Sequence, residues 1–397
     1  MDIGLQLIGD HYLPYPDNDF KMITEAGFTS IAFDLSLFCL SLCSLTGNIE
    51  DIKKLLFPYK KAAGKNGLKF AQVNAPSLSQ VVDDSKNKEK FHQAIRNCIE
   101  VCQWLGSLYL VVHPFEAGSL NSRQEWEENR DFFLSLQEEA KEHQVVLCLE
   151  NQYREYNGRY LRGVCADPYI AADYVDRLNH EAGEERFAFC LNTGNCNFGG
   201  QSLYEMVIKL GRRIKTVRIE DNNGIWDQRF MPYACARDGL CSLTDWQGFV
   251  RGMREIGFQG TLSFTADGSI KCFPSNMRAS ILRLIAETGR FMAEQINIES
   301  ILNKCERVVL FGAGKMFANY MSCYGKKYPP IFTVDNNRKL WGTSKLGVSV
   351  KPPDAIKELS DDYVILICNQ FYCEVEQQLK KMGVKNIYHF HDEYRPL

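Results

Sequence analysis

Histidine is scarce in this chain: 7 residues in 397, with none between His180 and His389. That whole stretch offers no imidazole for metal ligation or acid–base work. A basic excess is missing too. With 46 Lys and Arg against 49 Asp and Glu, the net charge is −3, so nucleic acid is not an expected partner. No apolar run approaches the roughly 20 residues that span a bilayer, so no membrane partner is expected. The opening MDIGLQLIGDHYLPYP lacks the basic segment and apolar core of a signal peptide. C-x-x-C is absent among the 15 cysteines, which leaves a zinc knuckle without support. Scattered in this way, the cysteines read as buried small hydrophobes in a reducing, cytoplasmic compartment. Cys39/Cys43 and Cys98/Cys102 are four apart, so each pair shares a face if helical.

What is present is a rhythm. Short apolar runs begin at IGLQLI (3–8) and SIAFDL (30–35), and continue with LKFAQV (68–73), LYLVVH (108–113) and VVLCLE (145–150). FAFCLN (187–192), IKTVRI (214–219) and TLSFTA (261–266) complete the set. They lack polar alternation, as strands buried on both faces do, which implies a parallel sheet. Amphipathic helical stretches such as KFHQAIRNCIEVCQWLG lie between them. Eight strand–helix units in succession predict a closed (β/α)8 TIM barrel over residues 1–295, with 276–297 as its closing helix. The rhythm then restarts with RVVLF, IFTVD, YVILIC and NIYHF, predicting a small Rossmann-like open α/β domain over 296–397.

In such a barrel the chemistry sits at the C-terminal strand ends. There the pieces LGSLYLVVHP, VVLCLEN, CLNTGNCNFGG, RIEDNNG and LTDWQGFVRGMREIGFQGTLSF occur in order. Together they resemble the xylose-isomerase-like superfamily, which holds sugar isomerases and epimerases, inosose dehydratases and endonuclease IV. The resemblance covers most of residues 1–292. It implies one to three divalent metals on carboxylates and histidines at these strand ends, and here the sequence departs from it. His113 and Glu150 are retained. Asn74 stands where a histidine is common, and the usual Asp-Thr-Gly-His reads Asn192-Thr193-Gly194-Asn195. Arg218 replaces the seventh strand's histidine, Arg229 ends what is often Asp-x-His, and Thr265 takes the eighth strand's glutamate position. Guanidinium cannot coordinate a metal, and asparagine oxygens bind Mg²⁺ or Ca²⁺ weakly. No tightly bound metal is therefore expected, only a weak Mg²⁺ or Mn²⁺ at most.

Glu150 ends a buried strand, where a carboxylate needs a partner, and Arg218 is the nearest candidate. Two readings stay open: a pair that merely holds the mouth together, or Glu150 as general base beside Arg218 and Arg229 as electrostatic stabilisers. His113 is equally a structural histidine or an acid/base. Asn74, Asn192 and Asn195 suit sugar hydroxyls, Asp221 and Asp227 join them as candidate substrate ligands, and Trp226 could pack against a sugar.

In the second domain Gly312-Ala313-Gly314 follows a strand and opens a helix, and Asp335 ends the next strand. That spacing suits a nucleotide phosphate on the helix N-terminus and a ribose on the carboxylate. Phe317 stands where the dinucleotide fingerprint has its third glycine. The stretch VDNNRKLWGTSKLGVSVKPPD is similar to small Rossmann-like domains attached to carbohydrate-modification proteins, which implies a nucleotide or nucleotide-sugar ligand. The combined expectation is a sugar or sugar-phosphate isomerase/epimerase-like protein. Its alternative is a catalytically inactive sugar- or partner-binding barrel, a regulatory or scaffold subunit in a glycan pathway. A homo-oligomer is left open.

Overall fold

The computed structural model describes residues 1–7, 16–35, 45–76, 85–116, 122–237, 241–359 and 362–396. It divides into two compact units, Met1–Arg290 and Phe291–Leu397.

The first unit is a closed barrel of eight parallel strands. They are β1 (Ile3–Leu7), β2 (Ser30–Asp34), β3 (Lys69–Asn74), β4 (Tyr109–Val112), β5 (Val146–Glu150), β6 (Phe187–Asn192), β7 (Ile214–Ile219) and β8 (Leu262–Phe264). Each pairs with its sequence neighbours, and β8 closes on β1 with Ile3 opposite Leu262. The observed strands coincide with the eight largely apolar runs because burial on both faces suppresses regular polar alternation, leaving only isolated buried polar residues such as Gln6, Gln72 and Thr216 within them. Helix boundaries follow local capping chemistry. Asp167 accepts from the backbone N–H groups of Tyr169 and Ile170, Pro168 opens the helix Pro168–Ala182, and Gly183 ends it at φ 71°. Cys98 and Cys102 are buried on the helix Ser85–Leu105; Cys39 and Cys43 lie outside the described residues. Trp246 is buried in the helix Trp246–Glu255.

A short hairpin, Tyr153–Tyr156 with Arg159–Arg162, interrupts the rhythm after β5. Its two-residue loop is Asn157-Gly158, with φ of 51° and 71°. Both left-handed positions match the turn that Asn-Gly favours. The sequence reading passed over this hairpin, although Asn-Gly is its signal.

The second unit carries a six-stranded mixed sheet. It contains β9 (Arg307–Phe311), β10 (Pro330–Val334), β11 (Ser344–Lys345), β12 (Val348–Lys351), β13 (Tyr363–Ile367) and β14 (Ile387–His389), in spatial order β11-β12-β10-β9-β13-β14. All neighbours are parallel except β11 and β12, which form an antiparallel hairpin at one edge. The expected small Rossmann-like open α/β domain is corrected to that extent: the sheet is mixed, with an antiparallel hairpin at its edge. The turn Leu346-Gly347, at φ 49° and 81°, reverses the chain within the stretch read only as a likeness. Phe317 is buried in this unit's core beside Tyr320 and Leu366. Among the described residues no helix is long and apolar enough to cross a membrane.

One contact makes the barrel's seam testable. A Cβ on Gly289 would lie 2.7 Å from Ile3 Cγ2 and 2.8 Å from the Phe264 ring, on the two strands that close the barrel. Gly289→Ala overpacks this seam and is expected to cost about 1–3 kcal/mol, read as a lower urea midpoint with an unchanged slope.

Candidate functional site

The C-terminal ends of the strands surround a cavity of about 500 Å³, within the usual range of small-molecule sites, about 300–1,000 Å³. At its floor Glu150 ends β5, fully buried, and receives three side chains. Asn192 Nδ2 donates to Oε1 at 2.8 Å, Arg218 Nη1 to Oε1 at 3.1 Å and Oε2 at 3.3 Å, and His113 Nε2 lies 3.2 Å from Oε2. The strands bring these four together. Consecutive ends β4, β5, β6 and β7 carry one group each, and Asn192 sits on the strand between Glu150 and Arg218. Asn192 also caps the short helix behind it, its Oδ1 accepting from Asn195 N at 3.1 Å. Burial alone would push the Glu150 carboxyl up. Arg218, His113 and Asn192 outweigh it and hold the group down at about 2. The carboxylate is therefore ionised and fully engaged.

Glu220, one residue past β7, also lines the cavity and is buried. Its Oε2 has no hydrogen-bond partner, and the nearest guanidinium nitrogen, Arg218 Nη2, is 4.0 Å away. Burial pushes its carboxyl well above the usual carboxylate range; Arg218 pulls the other way, and the nearby Asp227 charge adds to the rise. Higher in the wall Arg229, at a left-handed φ of 50°, grips Asp227 with Nε at 3.1 Å and Nη2 at 2.8 Å from Oδ2. On the hairpin Arg154 pairs with Glu116 at 2.9 Å. Gln152, Tyr153, Glu155 and Asn195 complete much of the wall.

Of the residues expected at the mouth, the cavity gathers Glu150, His113, Arg218, Arg229, Asn192, Asn195 and Asp227. Three others lie elsewhere. Asp221 is a correction: its carboxylate accepts from Thr244 Oγ1 at 2.6 Å, Cys235 N at 3.2 Å and Asn222 N at 3.0 Å, holding the loop after β7. Trp226 is exposed and Asn74 is buried against Gln72, and neither belongs to the described cavity wall. Thr265 donates to Gln6 across the β1–β8 seam at 2.9 Å. The sequence reading did not single out Glu220, Tyr153, Arg154 or Asn151. Asn151 is pinned to the backbone of Asn192, accepting from its N–H at 2.8 Å and donating to its carbonyl at 2.9 Å. Glu220 was legible in principle, since it follows Arg218 by two, just past the strand's end, where extended alternation puts the two on one face.

The metal that the superfamily resemblance implies does not fit this donor set. Both Glu150 oxygens already accept from Arg218, a third and a fourth contact come from Asn192 and His113, and a guanidinium repels a cation. Among the described residues no three His, Cys, Asp or Glu side chains form a group that could hold a metal ion.

In the second unit Gly312, at φ 118°, brings its Cα so close to the Cys368 carbonyl that a Cβ would stand 2.6 Å from that oxygen. Asp335 does not face a free site. Its Oδ2 accepts from Ala313 N at 2.9 Å and its Oδ1 from Asn337 N at 2.8 Å, while Lys345 Nζ donates to the Ala313 carbonyl at 2.7 Å. The turn Gly312-Ala313-Gly314 is thus tied to the chain's own side chains.

A family model described as a xylose isomerase-like TIM barrel matches residues 20–281, and one described as C2185-like, N-terminal, matches 304–388. No curated protein matches the chain. Among solved structures, a D-tagatose 3-epimerase-like protein is 18% identical, covering 76% of this chain and 100% of its own, at a TM-score of 0.52. D-allulose 3-epimerase from Methylomonas sp., in complex with D-allulose, is 15% identical, covering 74% and 96%, at 0.53. The IolI protein, solved with a bound zinc atom, is 15% identical, covering 75% and 99%, at 0.52. At such identities the likeness concerns the fold alone. With the first match spanning well over half of the 397 residues, the chain belongs to the xylose isomerase-like TIM barrel family.

Proposed function

We propose that the barrel is a sugar isomerase/epimerase-like protein whose cavity takes an unphosphorylated sugar and enolises it without a tightly bound metal. The observation that carries this reading is the pairing of every arginine among the described residues of the wall. Arg218 is held by Glu150, Arg229 by Asp227 and Arg154 by Glu116. Among the described residues of the wall, three guanidinium groups face five carboxylates, those of Glu116, Glu150, Glu155, Glu220 and Asp227. A sugar phosphate would bring further negative charge into a wall that already has an excess of it. A neutral polyol needs only hydrogen bonds, which Asn195, Gln152 and Tyr153 are placed to supply. Neighbours of the same fold, a D-tagatose 3-epimerase-like protein and a D-allulose 3-epimerase in complex with D-allulose, lend the sugar class support.

In this reading Arg218 takes the electrostatic role, since a guanidinium fixed in a buried site stabilises oxygen charge where it develops. Glu150 anchors it. A carboxylate held near 2 and engaged by three donors is a poor proton acceptor at neutral pH, so the expected base role for Glu150 gives way to a positioning one. The sequence-based reading of nucleotide binding in the second unit has the Gly312-Ala313-Gly314 turn for it. Against it stands Asp335, whose two oxygens already accept from Ala313 N in that turn and from Asn337 N.

Two outcomes are expected. In a thermal-shift panel neutral ketoses raise the melting temperature and their phosphates do not; stabilisation by the phosphates alone would overturn the substrate class. Glu150→Gln strands the buried Arg218 charge and should destabilise the fold by about 3–5 kcal/mol. The sign with pH follows from the depressed carboxyl. Its contribution is complete above the ordinary value of 4.5 and is lost as pH falls through about 2. Urea midpoints of the two proteins should therefore converge as pH falls from about 5 toward 2.

A further inference from the structure

Glu220 is the buried group for which the paired mouth leaves no structural task. Among the described residues, every other carboxylate on or beside the cavity floor is engaged: Glu150 by three side chains, Asp227 by Arg229, Asp221 by Thr244 and two backbone N–H groups. Glu220 is placed with care nonetheless. Thr193 Oγ1 donates to its carbonyl at 2.7 Å and accepts from its N–H at 2.9 Å, fixing the backbone from both sides. The next residue, Gly194, makes room for the side chain. A Cβ there would stand 2.7 Å from Glu220 Cγ and 2.8 Å from Oε1. The Thr193-Gly194 pair at the end of β6 thus cradles a carboxylate that points into the cavity with one oxygen unpartnered. Beside it, Arg218 keeps Nε without a partner and Nη2 turned toward Glu220 at 4.0 Å.

We infer that Glu220 is the residue that moves the proton in this barrel, with Arg218 beside it facing the substrate oxygen. The inference rests on the reading of the cavity as a site for a neutral sugar and deepens it. The Glu220 carboxylate takes the proton from the carbon next to the sugar's carbonyl, forming an O–H bond as the C–H bond breaks. The C–H electron pair becomes the carbon–carbon double bond, and the carbonyl π pair moves onto the oxygen, where the Arg218 guanidinium meets the charge. The carboxylic acid then returns a proton to carbon and the pairs move back, so no oxidant or reductant is consumed.

The charged and titratable groups that face Glu220 agree with this. They are Arg218, Asp227, Arg229 and Glu150, with the Tyr153 phenol across the cavity. Burial among them pushes the carboxyl up to about 7, against the pull of the two arginines. A base poised there is deprotonated often enough to accept and acidic enough to give back.

The test uses the full chain in D2O with D-fructose, D-allulose and D-tagatose, following loss of carbon-bound proton signals by NMR. The wild type should exchange deuterium into at least one of them, with a rate that rises as pH passes through about 7. Glu220→Gln should slow exchange by about 10²–10⁴ while the thermal shift given by that sugar is kept. Glu220→Asp, which keeps the carboxyl, should recover part of the rate. A second measurement needs no sugar. The native state holds the Glu220 proton to higher pH than the unfolded chain does, so wild-type stability should fall between pH 5 and 8 relative to Glu220→Gln. Exchange retained within tenfold in Glu220→Gln, or a pH-independent stability difference, overturns the assignment. A ketose that binds the wild type without any exchange also overturns it and leaves the sugar site standing. No binding by any of the three sugars removes the site itself.

Discussion

Two opposite charges inside a protein are costly unless each finds its full complement of partners, and the mouth of this barrel is organised around one such pair. Glu150 and Arg218 stand on strands separated by one, and Asn192 on the strand between them donates into the same carboxylate. His113 closes the ring from the other side. The arrangement uses up the carboxylate and fixes the guanidinium, so the two groups have different fates. Glu150 becomes part of the scaffold, while Arg218, which lines the cavity, keeps its Nε without a partner and its Nη2 only 4.0 Å from Glu220.

The same logic of spent and unspent groups runs through the wall. Arg229 and Arg154 are bound by acids on their own or neighbouring loops, which turns a mouth rich in arginine into one with a carboxylate excess. Asp221 spends its oxygens on the loop after β7. Asp335 in the second unit does likewise for the turn at Ala313. Glu220 is the exception, and its surroundings are built to keep it so. A hydroxyl from Thr193 clamps only its backbone, and Gly194 provides space for the side chain without a polar contact. A group left unpaired in a dry site is unstable unless it can shed its charge, and that is the property proton transfer requires.

The xylose isomerase-like frame and this particular mouth are separable. Barrel closure depends on parallel strands buried on both faces and on close seams such as Gly289 against Ile3 and Phe264. None of the strand-end residues takes part in those seams except Thr265, whose hydroxyl joins β8 to β1 through Gln6. The chemistry of the site thus rests on strand-end side chains that lie apart from the Gly289 seam, although the buried Glu150–Arg218 pair among them adds to stability as well.

The sequence by itself determined the eight strands, because short, largely apolar runs without regular polar alternation recur between amphipathic helical stretches, and it marked β4 to β7 as the strands whose ends carry His113, Glu150, Asn192 and Arg218. It also held two signals that went unread, Asn157-Gly158 for the hairpin over the mouth and the two-residue spacing from Arg218 to Glu220. Only the tertiary structure decided which polar groups are free. Pairing depends on which side chains from distant strands fall within about 3 Å of one another, and residue type is silent on that. Glu150 and Glu220 are both glutamates at strand ends. One has three donors around it and the other a glycine and a gap, and that difference of neighbours sets one carboxyl low and the other high.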